Sequence, residues 1–208
     1  EIQALLGETA LYFYDAIAPT VYADSIDYEV VFRASRYEDG EGDYLNVPLY
    51  RDGYERFVDE LVAAEPLPLH PSGAALYFEG WLPIEEMARR GRDTLAYGPM
   101  KPVGLTGPKT GRRPHGVVQL RQEDKAGILY NLVGFQTRLR IPEQRRLFRS
   151  LPGLGEAVFA RYGSVHRNTF INAPEHLSPS LELRCRPGLY IAGQMAGVEG
   201  YVESAALG

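Results

Sequence analysis

A chain of 208 residues with 45% hydrophobic content can fill one good core, or one domain and part of another. Its formal net charge of -5 excludes a protein coated in positive potential, so any nucleic-acid contact must use a local basic patch. The single cysteine, Cys185, excludes an intrachain disulfide and a cysteine-built metal centre, and it suits a reducing compartment.

Glu1–Gly7 reads as the last turns of a helix ended by glycine, which predicts a fragment of a longer protein. Leu11–Tyr14 is an aromatic run suited to a buried strand, with Asp15 at its carboxyl end, where ligands of open α/β sheets gather. Asp52 and Gly53 precede an amphipathic helix with Phe57, Val58, Leu61 and Val62 on one face, stopped by Pro66. Pro83–Gly91 is a second helix: proline opens it, Glu85 and Glu86 fall in the first turn, Arg89 and Arg90 in the last, and glycine closes it. Val117–Arg121 and Ile128–Arg140 alternate as two strands joined by the polar turn Gln122–Gly127. Pro142 begins a third helix over Glu143–Ser150, and strand-like stretches recur at Ala157–Tyr162 and Thr169–Asn172.

The chain closes on a short apolar run, Leu189–Ala192, three glycines (Gly193, Gly197, Gly200) and a helix start at Tyr201. Strand, glycine turn and helix N-terminus in that order can cradle a cofactor, because a bare backbone approaches closely and its N–H groups face electron-rich atoms. An ordinary glycine-rich connection has the same spacing, so both readings stand. The pattern predicts an α/β dinucleotide-type domain, residues 1–20 and 176–208, interrupted by an inserted α+β domain, residues 21–175. No apolar run reaches the length of a membrane span and no basic-then-apolar leader opens the chain. That predicts a cytoplasmic protein.

Phe78-Glu-Gly-Trp-Leu-Pro83 feeds the Pro83 helix, a natural site position. Packing of Trp81 and Leu82 as a staple for the helix entry is the other reading, and the plainer one. Lys101, Lys109, Arg112 and Arg113 sit in a glycine- and proline-rich segment that either follows a phosphate backbone or is merely solvated. His166, Arg167 and Asn168 put an imidazole, an anion clamp and an amide reader side by side, with Arg121 and Asn131 as further members of a polar pocket. His70, His115 and His176 lack metal-ligand spacing, and neither a Gly-x-Ser-x-Gly elbow nor a Cys/His pair supports hydrolysis.

As a set, Tyr12–Pro19, Asp43–Asn46, Phe78–Gly80 with Leu82–Glu85, Gly98–Leu105, Val118–Gln122, Leu129–Asn131 with Val133–Thr137, His166–Asn172 and Gly197–Ser204 resemble one family. That family is the folate- and FAD-dependent tRNA (uracil-5-)-methyltransferases, related to the glucose-inhibited division protein A flavoproteins. The resemblance implies a bacterial cytoplasmic flavoenzyme whose FAD/NAD(P)-binding Rossmann-like domain is interrupted by a mixed domain. It implies transfer of a methylene group from methylenetetrahydrofolate, through reduced flavin, to C5 of a T-loop uridine, with NAD(P)H supplying electrons. It places FAD on Gly193, Gln194, Gly197, Val198, Glu199, Gly200 and Tyr201. Folate or base falls to Arg121, Asn131, His166, Arg167 and Asn168, and tRNA to Lys101, Lys109, Arg112 and Arg113. The chain departs from the family in three ways: it has no Gly-x-Gly-x-x-Gly fingerprint, Trp81 stands where the family carries its Phe-Glu-Gly-Cys cysteine, and Val47 replaces a second cysteine. An RNA-binding module without chemistry, a flavin reductase and an rRNA uracil methyltransferase are the alternatives.

Overall fold

A computed structural model describes residues 5–6, 11–37, 42–68, 82–198 and 200–207, with backbone alone at 11–16, 167, 168 and 207. The chain divides into two compact units. One gathers the described parts of Glu1–Asp15 and His166–Gly208; the other comprises Ala16–Pro71 and Glu79–Val165.

The strands are β1 (Leu11–Ile17), β2 (Thr20–Tyr22), β3 (Phe32–Ala34), β4 (Tyr44–Leu49), β5 (Gly116–Gln122), β6 (Leu129–Leu132), β7 (Phe159–Arg161) and β8 (Ser164–Phe170). The helices are α1 (Arg51–Ala63), α2 (Ile84–Arg89), α3 (Thr94–Tyr97), α4 (Ile141–Arg149), α5 (Ala173–His176) and α6 (Tyr201–Leu207). Strands β1 and β8 pair with each other, while the other six form one antiparallel sheet in the order β3-β4-β5-β6-β2-β7. The result is a mixed α/β chain carrying an α+β unit.

Alternation gives the six-stranded sheet two chemically different faces. Leu45, Leu120 and Leu132 stand opposite one another on adjacent strands, with Val47 paired to Val118. This apolar face packs under α1 and α4 around Phe57, Leu61, Phe135, Leu147 and Phe148. The Phe135 ring lies 6.1 Å from Phe57 and meets Phe148 edge-on at 5.8 Å. Each such side chain, fully buried, contributes roughly 1.5–3 kcal/mol.

Helix α1 buries Tyr54, Phe57, Val58 and Leu61, an i, i+3, i+4, i+7 stripe. Val62, expected on that face, is exposed. The helix starts at Arg51, earlier than expected: extended Tyr50 precedes it, and the Tyr54 amide donates to the Tyr50 carbonyl at 2.8 Å. Tyr54 closes over Gly116, whose added Cβ would stand 2.8 Å from the ring. Its hydroxyl donates to the Arg92 carbonyl (2.7 Å) and accepts from the Ala96 amide (3.0 Å). Burial, opposed by that amide, pushes the phenol up to about 12.

The strand expected over Ile128–Arg140 ends at Leu132. Gly134 turns the chain with φ 76° and packs so close to Pro99 that a Cβ would lie 2.5 Å from the proline's. Beyond it, only a single bridge between Leu139 and Pro66 is strand-like. Helix α4 matches its expected place, with Pro142 in its first turn.

The other unit has a small core of Ile171, Leu177, Leu183, Ile191 and Ala196. The expected strand over Leu189–Ala192 is instead one bridge, Tyr190 to Glu182. Leu181 (φ 64°) and Gly188 (φ 82°) fold this segment back on itself, and the Leu183 amide reaches the Leu189 carbonyl at 2.8 Å.

Candidate functional site

Register across the six-stranded sheet brings together residues far apart in sequence. Tyr44 opposes Arg121, Arg121 opposes Asn131, Asn131 opposes Thr20, and Thr20 opposes Arg161. Opposed residues share a face, so these five polar side chains form a row on the side away from α1 and α4. Thr20 and Asn131 are buried, whereas Arg121 and Arg161 at either side are exposed. The Asn131 amide donates long bonds to the Ala18 and Pro19 carbonyls (3.5 and 3.4 Å), which leaves its oxygen as the atom able to accept. Arg161 donates to the Thr20 hydroxyl at 3.3 Å and lies 3.6 Å from Glu123. Arg121 makes no ion pair among the described residues.

On the same face, Asn46 spends its amide on the Phe32, Ala34 and Tyr44 carbonyls (3.3, 2.9 and 3.1 Å). It accepts from Gln119 at 3.1 Å. Asn46 therefore locks the β3–β4 hairpin and has no donor left for a ligand. Beside it, a cleft of about 340 Å³ is lined by Ser35, Arg36, Tyr37, Asp43, Tyr44 and Gln119. Arg36 donates to the Pro99 carbonyl at 2.9 Å, and its buried Nε finds no partner among the described residues. Burial lowers its pKa, opposed by Tyr37 and Tyr44.

The glycine hinge is built from a short 3-10 turn, Gly193–Ala196, followed by α6. Gly193 (φ 65°) and Gly197 (φ 88°) occupy the left-handed region that favours glycine. A Cβ on Gly197 would meet nothing within 4 Å, and one on Gly193 only Ser204 at 3.9 Å. The turn is fixed by bonds from the Gly197 amide to the Gln194 carbonyl (3.0 Å) and from Val198 to Gly193 (3.2 Å), while the Ser204 hydroxyl donates to the Val198 carbonyl (3.2 Å). Gln194 is exposed and Val198 half-buried; Tyr201 and Val202 are exposed. Glu199 lies outside the described residues.

His166, Arg167 and Asn168 follow one another on β8, with the His166 side chain exposed. The structure thus joins Arg121 to Asn131 and keeps His166–Asn168 together on a strand of their own. Lys109, Arg112 and Arg113 are exposed on a single loop, and Lys101 is half-buried. Trp81 lies outside the described residues; Leu82–Glu85, just after it, are buried.

Two features were hidden from sequence reasoning. Glu85, expected to face the helix dipole, is instead fully buried. Its carboxylate accepts from the Thr137 hydroxyl (2.8 Å) and the Arg138 amide (2.9 Å), stitching the start of α2 to the Thr137–Arg138 segment. Burial pushes its pKa up against these bonds. The arginines of residues 138–149 are the second, and most of them are engaged in ion pairs or hydrogen bonds. Arg138 pairs with Glu86, Arg140 with Glu65, Arg146 with Glu60 and Glu143, and Arg149 donates to the Ala157 carbonyl.

The fold is that of GidA proteins. GidA of Aquifex aeolicus, in its form II crystal, matches 99% of this chain and 32% of its own with a TM-score of 0.60 at 18% identity. The form I crystal gives 0.58 at 17%, over 99% of this chain and 34% of its own. The sequence matches the glucose inhibited division protein A profile over residues 1–208, and the chain belongs to that family. Among curated relatives, the methylenetetrahydrofolate--tRNA-(uracil-5-)-methyltransferase TrmFO of Geobacter sulfurreducens is 62% identical, over 100% of this chain and 48% of the relative. The protein of that name from Desulforudis audaxviator is 60% identical, over 100% and 47%. The chain spans about half the length of these relatives.

Proposed function

We propose that the chain is part of a cytoplasmic, flavin- and folate-dependent methyltransferase that acts on C5 of a T-loop uridine in tRNA. The observation that carries this reading is 60–62% identity, along the whole chain, to relatives bearing that activity's name.

The hinge fits FAD in the way a bare backbone can. Open space at Gly197 and its left-handed φ let a flat ring or phosphate come against the main chain, where a side chain would stand in the way. FAD is assigned to Gly193, Gln194, Gly197, Val198, Glu199, Gly200 and Tyr201. When bound, it supplies carriage of electrons and of the one-carbon unit, with NAD(P)H as the electron source. Arg121 holds an anionic group of folate or RNA, and the Asn131 oxygen accepts from an N–H of the ligand. His166, Arg167 and Asn168 are assigned to substrate binding. Lys101, Lys109, Arg112 and Arg113 contact tRNA phosphates, adding salt-sensitive affinity.

Trp81 gives a second reading specific support. An indole offers only an N–H donor and cannot serve as thiolate or base. With Val47 at the other family cysteine, the chain can bind RNA without transferring methyl. The test is incorporation of a labelled one-carbon unit from methylenetetrahydrofolate into unmodified tRNA by the full-length protein and its Trp81→Cys variant. Transfer that appears only with cysteine supports the family chemistry and assigns the thiol to this position. Full-rate transfer with tryptophan overturns the thiol assignment. Salt-sensitive tRNA binding with no transfer in either form favours the RNA-binding reading.

A further inference from the structure

A second cleft, of about 470 Å³, opens beside edge strand β3. Its walls are the aromatic and apolar groups of Tyr28, Val30, Phe32, Pro48, Tyr50 and Pro108. Residues Gly107–Thr110 form one side. That side is a built turn: the Gly107 carbonyl accepts from the Thr110 and Gly111 amides (3.2 and 2.8 Å), and the Gly107 amide donates to the Arg112 carbonyl (3.1 Å). Gly107 sits so close to the Tyr50 hydroxyl and Thr110 that an added Cβ would be 2.8 Å from each. The same turn presents cations at the rim. Arg112 lies 6.0 Å from the centre of the Tyr50 ring, and Lys109 pairs with Glu29 across the mouth. Both members of that pair are exposed, so it is weak and readily exchanged for another anion.

We infer that this cleft receives an unpaired nucleobase of the bound RNA, stacked on Tyr28, with the adjoining phosphate on Lys109 and Arg112. Flat aromatic walls beside a cationic rim are the combination that captures single-stranded nucleic acid. On a chain of net charge -5, a rim of Lys109 and Arg112 selects a polyanion over a second copy of the chain. The inference rests on the proposed RNA-binding role of this loop and adds what that role lacks, a reason to prefer unpaired nucleotides.

The test compares binding of an RNA hairpin with an open loop to that of a blunt RNA duplex of equal charge, over a salt series. Tyr28→Ala, at a half-exposed position, should weaken hairpin binding about 5- to 100-fold without changing its salt dependence and leave the duplex unaffected. Tyr28→Phe should restore the hairpin affinity. Arg112→Ala should weaken both ligands and lower the salt slope by about one. Glu29→Ala should tighten both by removing the competing acid. A Tyr28→Ala variant with unchanged hairpin binding, or with equal losses on both ligands, overturns the nucleobase cleft while leaving the RNA reading in place. No salt-sensitive binding by the unaltered chain would sink the RNA reading itself, and the cleft with it.

Discussion

The two units hold their polar residues in opposite ways. In the unit built on the six-stranded sheet, buried polar groups are spent on the fold: Asn46 on three carbonyls, Glu85 on Thr137 and Arg138, and Gln144 on the Leu139 and Gly163 carbonyls (2.7 and 2.8 Å). Arg121 and the loop cations Lys109, Arg112 and Arg113 lie exposed. Among the described residues, the hinge unit has a core of a few small and branched side chains, and its candidate site is main chain at Gly193 and Gly197. One unit prearranges side chains on a large core; the other offers backbone whose order a ligand can reinforce.

The sharpest way to break this contrast is to open each core. Phe135→Ala should destabilise the sheet unit by about 3–5 kcal/mol in urea unfolding. Ile191→Ala should act locally, speeding amide exchange in the hinge unit with little effect on β4 and β5. A shared, global response to both would erase the distinction. Next in size, Glu85→Ala leaves the Thr137 hydroxyl and Arg138 amide buried without their acceptor and should cost about 2–3 kcal/mol.

The neighbouring glutamates also predict opposite pH behaviour. Burial raises the Glu85 pKa above its ordinary 4.5. Its contribution is therefore fully present below the unfolded value and lost as pH rises through the folded one. At Glu86 burial pulls upward, but the Arg138 hydrogen bond and the Arg89 and Arg138 charges outweigh it, and the pKa falls. That contribution is present above the unfolded value and lost as pH falls through the folded one. Urea midpoints should thus show Glu85→Gln gaining on the unaltered chain as pH rises above 4.5, and Glu86→Gln gaining as it falls. Parallel curves would refute both assignments. The smallest effect belongs to Gly197→Ala, about 1–2 kcal/mol for a left-handed residue, confined to the hinge and visible as local exchange.

Local rules placed α1, α2 and α4 because their capping prolines, apolar stripes and end charges act within a few residues. The same rules missed where strand β6 ends, since the stop at Gly134 is set by its approach to Pro99, far away in sequence. Arg121 and Asn131 were legible as polar residues on a hairpin. Thr20, Tyr44 and Arg161 were not, because their membership of the row depends on pairing across strands separated by up to 141 residues. Long-range pairing likewise joins Arg138 to Glu86, Arg140 to Glu65 and Arg146 to Glu60, which no local rule foretells. Left-handed geometry at Gly193 and Gly197 agrees with glycine's permissiveness, whereas the strand expected before them gave way to turns at Leu181 and Gly188.

Amide exchange across Gly193–Ser204, followed as FAD is added to the chain, tests the central claim most directly. The account predicts slowed exchange at the hinge amides with rising FAD and no change in β4 and β5. Unaltered exchange at the hinge, at FAD concentrations up to the millimolar range, would contradict it.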